Sequence, residues 1–121
     1  MAPNDARPWA NLGTYYAETD RVPDAIPAME RAARLAPRDA RIRNNLALLY
    51  LMEDRPDDAI RELEAALTGV PRIAQPRIDL ARLLADRGQR DRALALLDEA
   101  AALEIDADEA RLIESLRQKL R

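Results

Sequence analysis

The chain has 121 residues, 48% apolar and 34% charged, with a net charge of −3. It is one domain's worth of protein with enough apolar residues for a continuous core, and it has no single-sign field to attract nucleic acid or an anionic membrane. Histidine and cysteine are both absent, which removes the commonest general base, the thiolate nucleophile, the usual transition-metal ligands and any disulfide. From the N-terminus, Met1 to Asp5 shows no basic segment followed by an apolar stretch, so no signal peptide is read there, and residues 1–5 are expected to be flexible. A pattern then begins at residue 6. Trp9, Leu12, Gly13 and Tyr16 follow i, i+3, i+4, i+7 spacing and form the apolar stripe of a first helix. Asp20-Arg21 breaks that helix with a residue that tolerates left-handed backbone, and Pro23 falls in the first turn of a second helix. This second helix carries Ala25, Ile26, Met29, Ala32 and Ala33 until Pro37 stops it. Pro27 lies about a turn inside it and predicts a loosened start or a slight kink.

The same arrangement returns 34 residues later. Residues 40–73 place Leu46, Ala47 and Tyr50 on one helix, Asp54-Arg55 and Pro56 at the break, and Ala59, Leu63, Ala66 and Pro71 on and after the next. Residues 74–107 place Leu80, Ala81 and Leu84, then Gly88-Gln89, then Ala93, Leu97 and Ala100, with Ile105 in the place of the proline. Small residues at Gly13, Ala47 and Ala81, and at the paired alanines of each second helix, predict close helix packing with large residues filling the remaining space. A last helix is expected over about 107–120, where Ile113, Leu116 and Leu120 keep apolar spacing and Asp106 with Glu109 form a capping box. Its other faces are charged, as the solvated end of a helical array requires. The longest apolar run, Leu46 to Met52, is seven residues, against roughly 20 for a membrane span. No direct membrane insertion is expected.

The series Trp9-x-x-Leu12-Gly13-x-x-Tyr16, Ala25-x-x-x-Met29-x-x-Ala32, Pro37, repeated over residues 6–39, 40–73 and 74–107, resembles the tetratricopeptide repeat family, with Met in the usual Phe position. The resemblance implies an all-α fold: a right-handed superhelical α-α solenoid of three repeats plus a C-terminal capping helix, in a single domain over residues 1–121. It also implies a concave surface lined by the first helix of each repeat and used to bind a protein or peptide. Family members that clamp the C-terminal carboxylate of chaperones use basic and asparagine residues at positions that here hold Ala10, Thr14, Asn45, Gln75 and Asp79. Only the asparagine matches, and the chaperone-tail reading is rejected.

On the first helices a second face points away from the packing stripe. Asn11, Asn45 and Asp79 occupy one position in successive repeats and could bond a peptide backbone, or could simply be hydrated polar positions. Leu48, Leu51, Met52 and Ile78 form an apolar group that packing does not require and that could receive a partner's side chain, a second copy of the chain or a segment of a longer parent protein. Arg7, Arg41, Arg38 and Arg72 line the edge at the helix starts, with Glu18 and Asp86 near the helix ends. That polarity opposes the helix dipole, which favours acids at starts and bases at ends by about 0.3–1 kcal/mol each. The candidate partner-binding residues are Asn11, Arg41, Asn44, Asn45, Leu48, Met52, Ile78, Asp79 and Arg82.

No catalytic, metal or cofactor site is read from the sequence. Ser115 is the single serine and has no partner base, the three glycines are far apart, and carboxylate pairs such as Asp57/Asp58 lie among arginines. With one Trp, three Tyr and no Phe, stacking platforms for nucleic acid are scarce. The function expected is a non-catalytic protein-interaction module that holds a peptide or helical segment of a partner. The alternatives are a structural element that self-associates, giving a homo-oligomer, or an accessory domain of a larger enzyme complex. Eighteen arginines against the single Lys119 suggest a GC-rich bacterial gene. A cytoplasmic location is the default expectation, with excision from a periplasmic or membrane-anchored parent left open.

Overall fold

The computed structural model describes residues 4–121, which form seven α-helices. These are α1 (Arg7–Glu18), α2 (Val22–Leu35), α3 (Ala40–Met52), α4 (Pro56–Leu67), α5 (Gln75–Asp86), α6 (Arg90–Ala101) and α7 (Ala107–Leu120). Among the described residues no strand forms beyond an isolated bridge between Asp39 and Val70, and no helix is long and apolar enough to cross a membrane. The expectation of flexibility for residues 1–5 falls partly outside the described residues; within them, Asp5 accepts hydrogen bonds from the backbone and guanidinium of Arg7. The helices gather into two compact units, Met1–Pro71 with α1 to α4 and Arg72–Arg121 with α5 to α7.

Within each unit the hairpins close through their small residues. Ala25 and Ala32 on α2, Ala59 and Ala66 on α4, and Ala93 and Ala100 on α6 are all buried, beside Met29, Leu63 and Leu97. The α1–α2 approach is close at Gly13, where an added Cβ would meet the Met29 Cε at 3.0 Å and the Ala25 carbonyl oxygen at 3.3 Å. The breaks between paired helices are the ones read from the sequence. Asp20, Asp54 and Gly88 take left-handed backbone with φ of 65°, 57° and 80°, which reverses the chain within two or three residues. Pro23 and Pro56 lie in the first turns of α2 and α4, where a missing N–H costs little. Pro27 does not interrupt its helix. α2 is assigned unbroken from Val22 to Leu35, with Pro27 on its exposed side.

The first unit is also tied across its loops. The Val70 amide donates to the Arg38 carbonyl at 2.8 Å, and the Ala40 amide to the Val70 carbonyl at 2.8 Å, joining the end of α4 to the start of α3. Asp39 caps α3, its carboxylate accepting from the amides of Arg41 and Ile42 at 3.0 and 3.1 Å. The capping box read at the start of α7 is present: the Glu109 amide donates to Asp106 Oδ1 at 2.7 Å and the Asp106 amide to Glu109 Oε1 at 3.1 Å. Ile113 anchors α7 as its buried residue.

Between α2 and α3 the buried Tyr50 hydroxyl donates to Glu30 Oε2 at 2.6 Å, and the Arg55 guanidinium lies 4.5 Å from its ring centre. Burial first, then the bond to Glu30 and its negative charge, pushes the Tyr50 phenol well above its ordinary value. A phenol that holds its proton more tightly folded than unfolded stabilises the fold below the unfolded value of about 10. That contribution is lost as pH rises above it, because the unfolded chain ionises first. Urea titrations should therefore show stability falling between about pH 9 and about pH 11. Tyr50→Phe should cost about 1 kcal/mol at neutral pH, one hydrogen bond's worth, and flatten the alkaline decline; an unchanged decline would show that Tyr50 does not cause it.

Candidate partner-binding grooves

On α3, Arg41, Asn45, Leu48 and Met52 follow i, i+4, i+7, i+11 spacing and form an exposed stripe along the helix. On α1, Arg7, Asn11, Thr14 and Glu18 occupy the same positions one repeat earlier and are also exposed. Between the two stripes lies a groove of about 290 Å³. Its floor is Gly13, the buried Met29 and Leu49; its walls are Thr14, Ala17 and Glu18 on one side and Asn45, Leu48 and Met52 on the other. Leu48 is 39% exposed and Met52 63%, unusual for large apolar side chains flanking a concave surface. Gly13 lets α2 come close to α1, and Met29, buried beneath it, backs the floor of the groove.

The second unit has a groove of its own, about 330 Å³, between α5 and α7. Ala81, Arg82, Ala85, Asp86 and Leu97 line it, each 68 residues, or two repeats, beyond Gly13, Thr14, Ala17, Glu18 and Met29. Leu116, Lys119 and Leu120 of α7 form the opposite wall. The same backbone positions thus build a groove in each unit, with different chemistry. Glu18 is the one charged residue lining the first groove, whereas Arg82, Asp86 and Lys119 line the second.

Asn45, Leu48 and Met52 line the first groove and Arg82 the second. Asn11 and Arg41 are exposed on the stripes beside the first groove without lining it. Three expectations are corrected. Ile78, read as part of an uncommitted apolar group, is 0% exposed; Asn44 is buried, its Oδ1 without a hydrogen-bond partner; Asp79 is buried as well. The reason lies in α5, where six consecutive residues, Pro76 to Ala81, are buried. At about 100° per residue such a run leaves no open face on the first half of α5, so a two-sided reading fails there. Asn44 and Ile78 share one repeat position, which is therefore a packing position in both helices. Asp79 does not continue the polar ladder of Asn11 and Asn45, because its Oδ1 accepts from Gln75 Nε2 at 3.0 Å and lies 3.6 Å from the Arg82 guanidinium.

The arginine edge is also reduced. Arg7 is held by Asp5, and Arg38 donates to the Thr68 carbonyl at 3.1 Å. Arg41 stays exposed at the start of α3. Sequence reasoning assigned Gly13 and Met29 wholly to packing, and Leu116 and Leu120 to the end cap. The 68-residue correspondence between the two grooves was present in the sequence as a signal for all four.

Paired helices of fixed period, with a groove recurring at equivalent positions, define an all-α helical repeat protein. Tetratricopeptide repeat models match residues 10–75 and 50–120, and the chain belongs to the tetratricopeptide repeat family. No match is found among curated proteins. Similar solved structures include the Yersinia enterocolitica type III secretion chaperone SycD in complex with a peptide of the translocator YopD. It is 15% identical, with a TM-score of 0.84 over 94% of this chain and 90% of that one. The TPR2B domain of yeast Sti1 in its pHsp70 complex is 24% identical, with a TM-score of 0.83 over 95% and 94%. PilF of Pseudomonas aeruginosa is 19% identical, with a TM-score of 0.77 over 95% of this chain and 53% of that one. At these identities the likeness is one of fold.

The second groove depends on α7 staying in place, and the capping box holds the start of that helix. Asp106→Ala should cost about 0.5–2 kcal/mol of stability and raise amide exchange in α7 before α5 and α6. Uniform loss of protection across all three helices would contradict a separately held α7.

Proposed function

We propose that the protein is a non-catalytic interaction module that takes a segment of a partner protein into the groove between α1 and α3. The observation that carries the proposal is the pair of exposed apolar side chains, Leu48 and Met52, beside a floor formed by Gly13 with Met29 buried beneath it. A leucine-sized side chain seated there would remove apolar surface on both partners from water, at roughly 25 cal/mol per Å². Asn45, exposed on the α3 wall, offers an amide donor and acceptor to the backbone of an extended segment. Glu18 favours a basic group at one end of the groove, and Arg41, one turn before Asn45, an acidic group near the other.

Two of the similar structures, SycD with its YopD peptide and Sti1 TPR2B in its pHsp70 complex, hold a partner on this fold, which supports the reading by analogy. The chain's own residues argue against a shared ligand. Ala10, Gln75 and Asp79 stand where a basic clamp would be needed, and Asp79 is buried and engaged within its own helix.

Selection from a displayed library of random peptides should return binders with an apolar residue followed or preceded by a basic one. Leu48→Glu should weaken them at least tenfold, about 1.4 kcal/mol, with Asn45→Ala and Arg41→Glu giving smaller losses. Full retention by correctly folded variants would move the site elsewhere. Self-association through the groove is the rival outcome, recognised by a dimer in light scattering that Leu48→Glu dissociates.

A further inference from the structure

The packing stripe of α1 is not fully packed. Leu12 is 36% exposed, whereas Leu46, its counterpart one repeat later, is 2% exposed. Trp9 and Tyr16 are half-buried, Tyr15 is exposed beside them, and these three are all but one of the chain's four aromatic residues. Trp9, Leu12, Tyr16 and Ala28 line a cavity of about 260 Å³. Thirty-four residues on, Arg43, Leu46, Tyr50 and Glu62 line the corresponding cavity, and its other wall is Glu30, Ala33 and Arg34 of α2 with Pro37 just after that helix. The first repeat has the same half-site, and no helix among the described residues stands where α2 stands in the second.

Local geometry at the two tyrosines agrees in detail. Arg21 lies 4.5 Å from the ring centre of Tyr16 and pairs with Asp24; Arg55 lies 4.5 Å from that of Tyr50 and pairs with Asp58. The difference is at the hydroxyl. Tyr50 donates to Glu30 of the covering helix at 2.6 Å, and among the described residues nothing accepts from Tyr16. A second difference concerns the Arg43–Glu62 ion pair, whose counterparts are Trp9 and Ala28. The uncovered face is thus the more apolar of the two, and the covered one shows what fits it.

We propose that the face built by Trp9, Leu12, Tyr15 and Tyr16 is a docking site for an amphipathic helix of a partner protein. On its contact side that helix carries a small residue in the place of Ala33 and one carboxylate, in the place of Glu30, that accepts a hydrogen bond from the Tyr16 hydroxyl. The site is separate from the groove between α1 and α3, and its occupancy does not depend on the groove's.

The probe is the chain's own covering helix: a synthetic peptide of residues 22–37, stapled through positions 28 and 32 so that the Glu30 and Ala33 side stays free. Trp9 is the single tryptophan and reports directly. Titration should give a saturable blue shift of its emission, lost at least tenfold in affinity with Leu12→Glu, whose folding is checked by circular dichroism. Glu30→Gln in the peptide should weaken binding about fivefold to the native chain and leave binding to Tyr16→Phe unchanged, the signature of one hydrogen bond. Three results would each overturn the proposal. They are no saturable shift, equal loss for both chains with Glu30→Gln, or a Trp9 shift that the chain produces alone with rising concentration, which would make the occupant a second copy.

Discussion

Everything in this structure depends on how close two helices can come. Glycine and alanine at fixed places on each hairpin allow the backbones to approach, and one large residue per hairpin, Met29, Leu63 or Leu97, fills the space that remains. That constraint uses up one side of every helix and leaves the rest of its surface unassigned. The groove between α1 and α3 is a direct consequence. Gly13, whose missing side chain admits α2 to contact through Met29, also forms part of the groove's floor.

Repetition then converts a packing rule into a comparison. Positions two repeats apart build both grooves, so their differences reflect chemistry rather than backbone. Glu18 is the charged residue lining the first, while Arg82 and Lys119 join Asp86 in the second. The same logic, applied one repeat apart, marks the uncovered half-site at Trp9 and Leu12 and describes the helix that fits it. In a repeat protein each unit acts as an internal control for its neighbour.

Local chemistry was legible in the sequence. Left-handed turns at Asp20, Asp54 and Gly88 followed from which residues accept that backbone, and the Asp106–Glu109 capping box followed from spacing alone. Leu48 and Met52 were legible as apolar residues outside the packing stripe. Burial was less so. A helical wheel treats every helix as two-sided, and it therefore placed Ile78, Asn44 and Asp79 on an open surface, although the start of α5 is covered all round. The opposite error occurred at Leu12. Its position in the repeat specifies packing against a preceding helix, and none precedes α1 among the described residues.

The central claim is that a partner segment seats against Leu48 and Met52, and methyl NMR addresses it directly, because Met52 stands in the groove wall and Met29 lies beneath its floor. With 13C-methyl methionine labelling, a bound library-selected peptide should shift the Met29 and Met52 methyl resonances and give intermolecular contacts from Met52 to its apolar side chain. A peptide that binds while leaving both resonances unmoved would contradict the account and place the interaction surface outside this groove.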